Sequence, residues 1–347
     1  MSTFLAAALP LALAATLDVP AGGDLAAALA HARTGDVVRL AEGDHRGGIV
    51  LPAGVRIEGA GAERTRVVAP EGADALVAEH DAQVAAVAME AGTPRCAIRV
   101  TAGTLRATGV RATGGACGAR VSGGTLDASD MVLDGTVGLL VDGGAATIER
   151  GRLRGAVAGA TILGGTATLR HLAITGPSRE AGLSVAGGAA FLEGVVIRSP
   201  GPAGIAVATG GRLEGTAVVV VGASAEEGIP GTCVQVRRGS LTLSASTLLH
   251  CGGAAVQASA GEVHLTGVDA AGGAAGGIVL LDGASAVLDG NVLAGRGPGL
   301  ALEGGARANA RMNRWWVDPV FWVDCGSGAR VVLGDGERAR SPCNGSP

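Results

Sequence analysis

The chain has 347 residues, 61 of them Gly, and contains neither Lys nor Tyr. Its 27 basic residues, all Arg, stand against 31 acidic ones and leave a net charge of −4. That charge is spread along the chain, which excludes the basic stripe of a nucleic-acid binder. A hydrophobic content of 48% excludes wholesale disorder, and no apolar run reaches the ~18 residues of a membrane span.

Residues 1–14 read as a signal peptide. Phe4–Ala15 is an apolar stretch, and Ala12 with Ala14 forms an A-x-A cleavage pattern. Met1-Ser2-Thr3 lacks the usual basic residue, so a buried N-terminus is the alternative. A single mature domain is expected over 15–347. Its N-terminal cap and first coils occupy 24–80, regular coils 81–305 and a C-terminal cap 306–347. Such a chain is secreted or periplasmic, with no membrane span. Asp24 is placed to N-cap a helix over Leu25–His31, and Val37–Leu40 follows as a strand.

From there the sequence repeats. Aliphatic centres stand at Leu105, Leu126, Ile148, Leu169, Leu192, Leu213, Leu243, Leu265 and Leu288, mostly 21–23 residues apart. The step from Leu213 to Leu243 is 30. Val110, Leu153, Ile174, Ile197, Val218, Leu248 and Leu293 fill a second apolar element. A third reads Gly-aliphatic-x-aliphatic, as in Gly182–Val185 and Gly204–Val207. Period-two alternation means strands with one buried face, and the glycines between them mark turns. Three short strands per repeat predict an all-β fold, a right-handed parallel β-helix of roughly 11 coils. Each coil stacks about 4.8 Å from the last. No single coil buries its own apolar face, but a stack does. Each buried Leu or Ile contributes on the order of 1.5–3 kcal/mol.

Stacking predicts side-chain neighbours. The aliphatic centres should form one continuous ladder. Thr104, Thr125, Thr147 and Thr168 should stack, and ion pairs should join Arg106–Asp127, Glu149–Arg170 and Arg170–Glu193. Cys96 and Cys117 occupy the same place in consecutive repeats, within reach of a disulfide. Cys233 with Cys251, and Cys325 with Cys343, complete an even set suited to an oxidising compartment. Six reduced core cysteines are the alternative.

Two segments near the N-terminus carry a family resemblance. Gly35-Asp36-Val37-Val38-Arg39-Leu40-Ala41-Glu42-Gly43-Asp44-His45 and Leu51-Pro52-Ala53-Gly54-Val55-Arg56-Ile57-Glu58-Gly59-Ala60-Gly61 resemble the opening coils of pectin-lyase-like right-handed β-helix proteins. His45 stands where that superfamily usually has Tyr. The Trp-rich stretch Arg314–Trp322 is similar to its final coil, either as a plug or as a sugar-stacking platform through Trp315, Trp316 and Trp322.

The resemblance implies two kinds of enzyme site. A pectate-lyase-like site needs clustered Asp holding Ca²⁺ beside a base. A polygalacturonase-like site needs several Asp, a His and an Arg-x-Lys motif. This chain has no Lys, and Asp127, Asp142, Asp282 and Asp289 are scattered. No metal or other cofactor is expected outside the lyase reading. The longest insertion, Gly222–Thr232, carries Glu226 and Glu227. With His250 these are the candidate acid–base residues. Arg179, Glu180, Arg198 and Arg237 are candidate binding residues beside them. The expected function is a secreted scaffold or binding protein that contacts polysaccharide or a cell-surface partner. The alternative is a carbohydrate-active lyase or hydrolase with its site on the long-loop flank.

Overall fold

The computed structural model describes residues 14–176, 179–198, 201–223, 231–317 and 323–334. They form a parallel β-solenoid of about 14 coils with one short helix. The stack is longer than the roughly 11 coils expected, because the N-terminal segment through Ala91 is itself coiled. Each coil contributes a strand to each of three sheets. Cys96–Val100, Thr104–Thr108 and Arg111–Gly114 represent the first, second and third sheets.

The core is built from inward columns that run the length of the stack. One column of the first sheet passes through Leu76, Ile98, Ala119, Leu139, Ala160, Leu183, Ile205, Val234, Val256, Ile278 and Leu300. All of these residues are buried. Parallel backbone hydrogen bonds link every coil to the next.

The single leucine ladder expected in the second sheet is instead two. Leu105 and Leu126 stack on Ala146, Ala167 and Ala190 before the column returns to Leu213. Ala107 and Ala128 stack on Ile148, Leu169 and Leu192. Between the coils of Leu105 and Leu192 large and small residues therefore exchange columns, and each of these coils holds one of each. A shift of two residues keeps every side chain on its own face, so alternation alone does not detect it. The expected Thr ladder splits for the same reason. Thr104 stacks on Thr125, whereas Thr147 stacks on Thr168. Arg106–Asp127 and Arg170–Glu193 pair at 3.9 and 3.2 Å. Glu149 lies beside Arg170 in register, but its ion pair is with Arg150, at 2.6 Å.

Register is set at the corners. Gly103, Gly124, Gly144 and Gly165 occupy one turn position, each two residues before an inward second-sheet residue. The N–H after each of the last three donates to the carbonyl of the glycine one coil back, at 2.7–3.0 Å. All four have φ between 63° and 70°. A Cβ on Gly144 would lie 2.3 Å from the Gly124 carbonyl oxygen.

The corner between the second and third sheets also needs left-handed backbone. Asp130, Arg150, His171, Ala217 and Ala245 adopt φ of 45–56° there. Asp130 and Arg150 meet in an ion pair at 3.0 Å that ties consecutive corners. Near the C-terminal end the adjoining buried position changes from aliphatic to Asn291 and Asn313. The Asn291 amide donates to Leu265 O and Asn313 Oδ1, and its Oδ1 accepts the Val268 N–H, at 2.9–3.1 Å.

The helix Leu25–His31 forms near the N-terminal end of the stack. Asp24 Oδ1 accepts the Ala27 N–H at 2.9 Å, and Leu25 and Leu29 of the helix are buried. Asp36 anchors the entry by accepting the Ala15 and Arg33 N–H groups, both at 2.8 Å. His45 points inward in register with Val67 and Met89, its Nε2 2.9 Å from Ala41 O. At the other end Trp315 extends the inward column over Leu293, while Trp316 is 72% exposed. Trp322 lies outside the described residues.

The disulfides Cys96–Cys117 and Cys233–Cys251 form, with Cα separations of 4.5 and 5.2 Å. Cys325 is disulfide-bonded, and Cys343 lies outside the described residues. No helix among the described residues is long and apolar enough to cross a membrane.

Two outcomes follow from these anchors. Gly144→Ala is expected to lower the unfolding free energy by more than about 1 kcal/mol in urea, since it combines a left-handed φ with a backbone clash. Backbone N–H donors hold Asp36 below the ordinary carboxylate range, and the Arg66 and Arg150 guanidinium groups do the same for Glu90 and Asp130. Stability from such depressed groups is complete above their unfolded pKa values near pH 4 and is lost as pH falls through the folded ones. The urea midpoint should therefore drop on acidification below about pH 4, and the drop should be smaller in Asp36→Asn.

Candidate functional site

The loops between the third and first sheets stack along one flank, as the repeat lengths imply. Arg179 and Glu180 lie there, with backbone N–H groups donating to Ala156 O and Val157 O at 3.2 Å. Arg198 ends the third-sheet strand Val196–Arg198 on the same flank. His250 follows Leu249, two coils further on in Arg198's column. Arg237 ends the first-sheet strand Thr232–Arg237, in register with Ala208 and Ser259, and so sits at the opposite corner. Glu226 and Glu227 lie outside the described residues. Among the described residues no hydrogen bond or ion pair joins Arg179, Glu180, Arg198 and His250 to one another. No three His, Cys, Asp or Glu side chains among the described residues gather to hold a metal.

His250 has a structural reason to be where it is. Its φ is 56°, the left-handed region at a loop corner. His250→Gly should unfold at or above the wild-type temperature. His250→Val should lose about 1–2 kcal/mol, because a β-branched residue is strained there.

The outer face of the second sheet collects more geometry than the loop flank. Period two gives this face three outward columns, the first of them through Thr104, Thr125, Ala145, Thr166, Ala189 and Arg212. The second runs Arg56, Gln83, Arg106, Asp127, Thr147, Thr168, Phe191, Glu214, Thr242 and His264. The third carries Thr108, Ser129, Glu149, Arg170, Glu193, Thr216 and Ser244. Hydroxyls and paired charges dominate the second and third. Thr216 and Ser244 hydroxyls meet at 2.9 Å and Arg170 Nε donates to Glu193 at 3.2 Å.

Three depressions lie along this face. The first, about 490 Å³, is lined by Asp18, Pro20, Arg39, Glu42 and Glu58. The second, about 110 Å³, is lined by Asp81, Gln83, Thr104 and Arg106. The third, about 280 Å³, is lined by Thr168, Arg170, Phe191, Glu193, Glu214 and Thr216, over Leu192 and Gly215. The sequence displays Phe191 as the one aromatic among the repeat centres. Its outward position, and its place beside a depression, come from the stacking register.

No family model matches the chain, and no curated protein matches it. Several solved structures are similar to it at low identity. The A-module of the mannuronan C-5 epimerase AlgE4 of Azotobacter vinelandii is 12% identical, with 90% of this chain and 94% of that one covered and a TM-score of 0.49. The catalytic unit of the thermostable GH87 alpha-1,3-glucanase of Streptomyces thermodiastaticus strain HF3-3 is 15% identical, with 95% and 69% covered and a TM-score of 0.46. The catalytic domain of Agl-KA is 14% identical over 89% of this chain, with a TM-score of 0.48, and the chain spans 64% of that domain's length. At these identities and TM-scores the likenesses carry no family or activity over to this chain, and the parallel β-solenoid rests on its own strand pairing.

Proposed function

We propose that the protein is an exported, non-catalytic β-helix scaffold that binds polysaccharide along the outer face of its second sheet. The observation that carries this reading is the occurrence of three depressions on that one face, from Asp18 to Thr216. A polymer laid along the solenoid axis meets the same kinds of polar group at each coil step of about 4.8 Å. Individually weak contacts to hydroxyls, carboxylates and guanidinium groups then act together on one chain. The formed disulfides support an oxidising compartment.

The enzyme reading keeps its place on the loop flank. It assigns acid–base work to Glu226 and Glu227 with His250, with Arg179, Glu180 and Arg198 holding the sugar, and it takes Ca²⁺ only if the reaction is a lyase elimination.

The two readings separate on a panel of neutral and acidic polysaccharides, with and without Ca²⁺. Binding is followed by retardation in gels containing each polymer, and cleavage by new chain ends. Retardation without new ends is the expected result. New ends that disappear in a Glu226→Gln, Glu227→Gln double variant would replace the scaffold with an enzyme.

A further inference from the structure

Phe191 is out of character with its surroundings. Its immediate outward neighbours are hydroxyls and charges, yet this phenyl ring is 38% exposed among them; the next exposed apolar side chain in the column, Val287, is four coils on. Thr168 stands one coil before it and Glu214 one coil after it in the same column. Arg170, Glu193 and Thr216 fill the neighbouring column alongside. The 280 Å³ depression lies among these six side chains.

Its floor follows from the inner packing. The column beneath carries Leu169 and Leu192, then Gly215, then Leu243. Gly215 brings no side chain, and the Leu243 and Val218 methyl groups occupy that space instead, 2.8 Å from where its Cβ would be. Leu192 and Gly215 face inward, so between the outward side chains the surface beside Phe191 is strand backbone, with polar groups at the rim.

Charge narrows the ligand. Arg170 pairs with Glu193 at 3.2 Å, and Arg212 pairs with Glu214. Two guanidinium groups and two carboxylates bracket the ring, and their formal charges cancel. A uronic or sulfated sugar calls for an uncompensated cation, and each Arg here is already paired. A neutral sugar calls for an apolar plate beneath the C–H face of its ring and for acceptors and donors at its hydroxyls. Phe191 supplies the plate. Glu193, Glu214, Arg170, Thr168 and Thr216 supply the hydrogen-bonding rim.

We infer that Phe191 is the stacking platform of a subsite for a neutral pyranose unit, within the polysaccharide-binding face proposed above and resting on that reading. Glu193 and Glu214 accept from vicinal hydroxyls of the sugar. Arg170 holds Glu193 in place and donates to a hydroxyl oxygen.

The test is calorimetric titration of the full chain with maltohexaose, cellohexaose, laminarihexaose and hexagalacturonate. It is repeated with Phe191→Ala and Phe191→Trp, whose folds are checked by circular dichroism. At least one neutral hexaose is expected to bind more tightly than hexagalacturonate. Phe191→Ala should weaken that binding about tenfold, and Phe191→Trp should restore it. Unchanged affinity in Phe191→Ala would overturn the subsite while leaving the polysaccharide-binding face intact. Preference for hexagalacturonate would overturn the neutral class. No retention of the wild-type chain by any polymer would overturn both the subsite and the face.

Discussion

Everything in this protein depends on the contact between one coil and the next. A coil by itself has strands too short and a core too thin to persist. Stacked, it hydrogen-bonds its backbone to the coils on either side and continues columns of buried aliphatic side chains. The core is therefore a one-dimensional object in which each coil packs against the two beside it. The exchange of Leu105 and Leu126 for Ala146, Ala167 and Ala190 shows neighbouring columns compensating over part of the stack. Where one column loses volume, the other gains it through Ile148, Leu169 and Leu192.

Such a stack has a specific weakness, which is register. Slipping by two residues leaves every apolar side chain facing inward, so hydrophobicity does not oppose it. The corners oppose it instead. The glycines at 103, 124, 144 and 165 approach the preceding coil so closely that no Cβ fits at any of them. The Asp130–Arg150 pair and the Asn291–Asn313 amides tie neighbouring corners directly. The Cys96–Cys117 disulfide joins equivalent positions of adjacent coils. Each device pins one rung to the next, and together they leave the outward faces free to carry any side chain.

That freedom underlies the function proposed for the outer face. Side chains on the outer face of the second sheet are held in rows by a rigid core, about one coil rise apart. The same regularity that stabilises the fold sets hydroxyls, carboxylates and guanidinium groups in register along the axis. Most charged groups on the face are paired, as Arg106 is with Asp127 and Arg170 with Glu193. The face therefore offers hydrogen bonds more than a strong field.

The sequence by itself determined the class of fold, the strand pattern within each repeat, the N-capped helix and the Cys96–Cys117 pairing. Each of these depends on spacing along the chain, and spacing is visible in a string of letters. Aligning the repeats on their leucines missed the split ladder, although aligning them on the corner glycines would have shown it. Residue 146 follows Gly144 just as residue 126 follows Gly124. Asn291 and Asn313, 22 residues apart, were equally open to view. The tertiary structure alone decided which outward residues become neighbours. It set Phe191 between Thr168 and Glu214, placed three depressions on one face, and sent Arg237 to the corner opposite Arg198. Those relations cross coils, and they depend on the number of residues each turn consumes, which only the closed and stacked backbone settles.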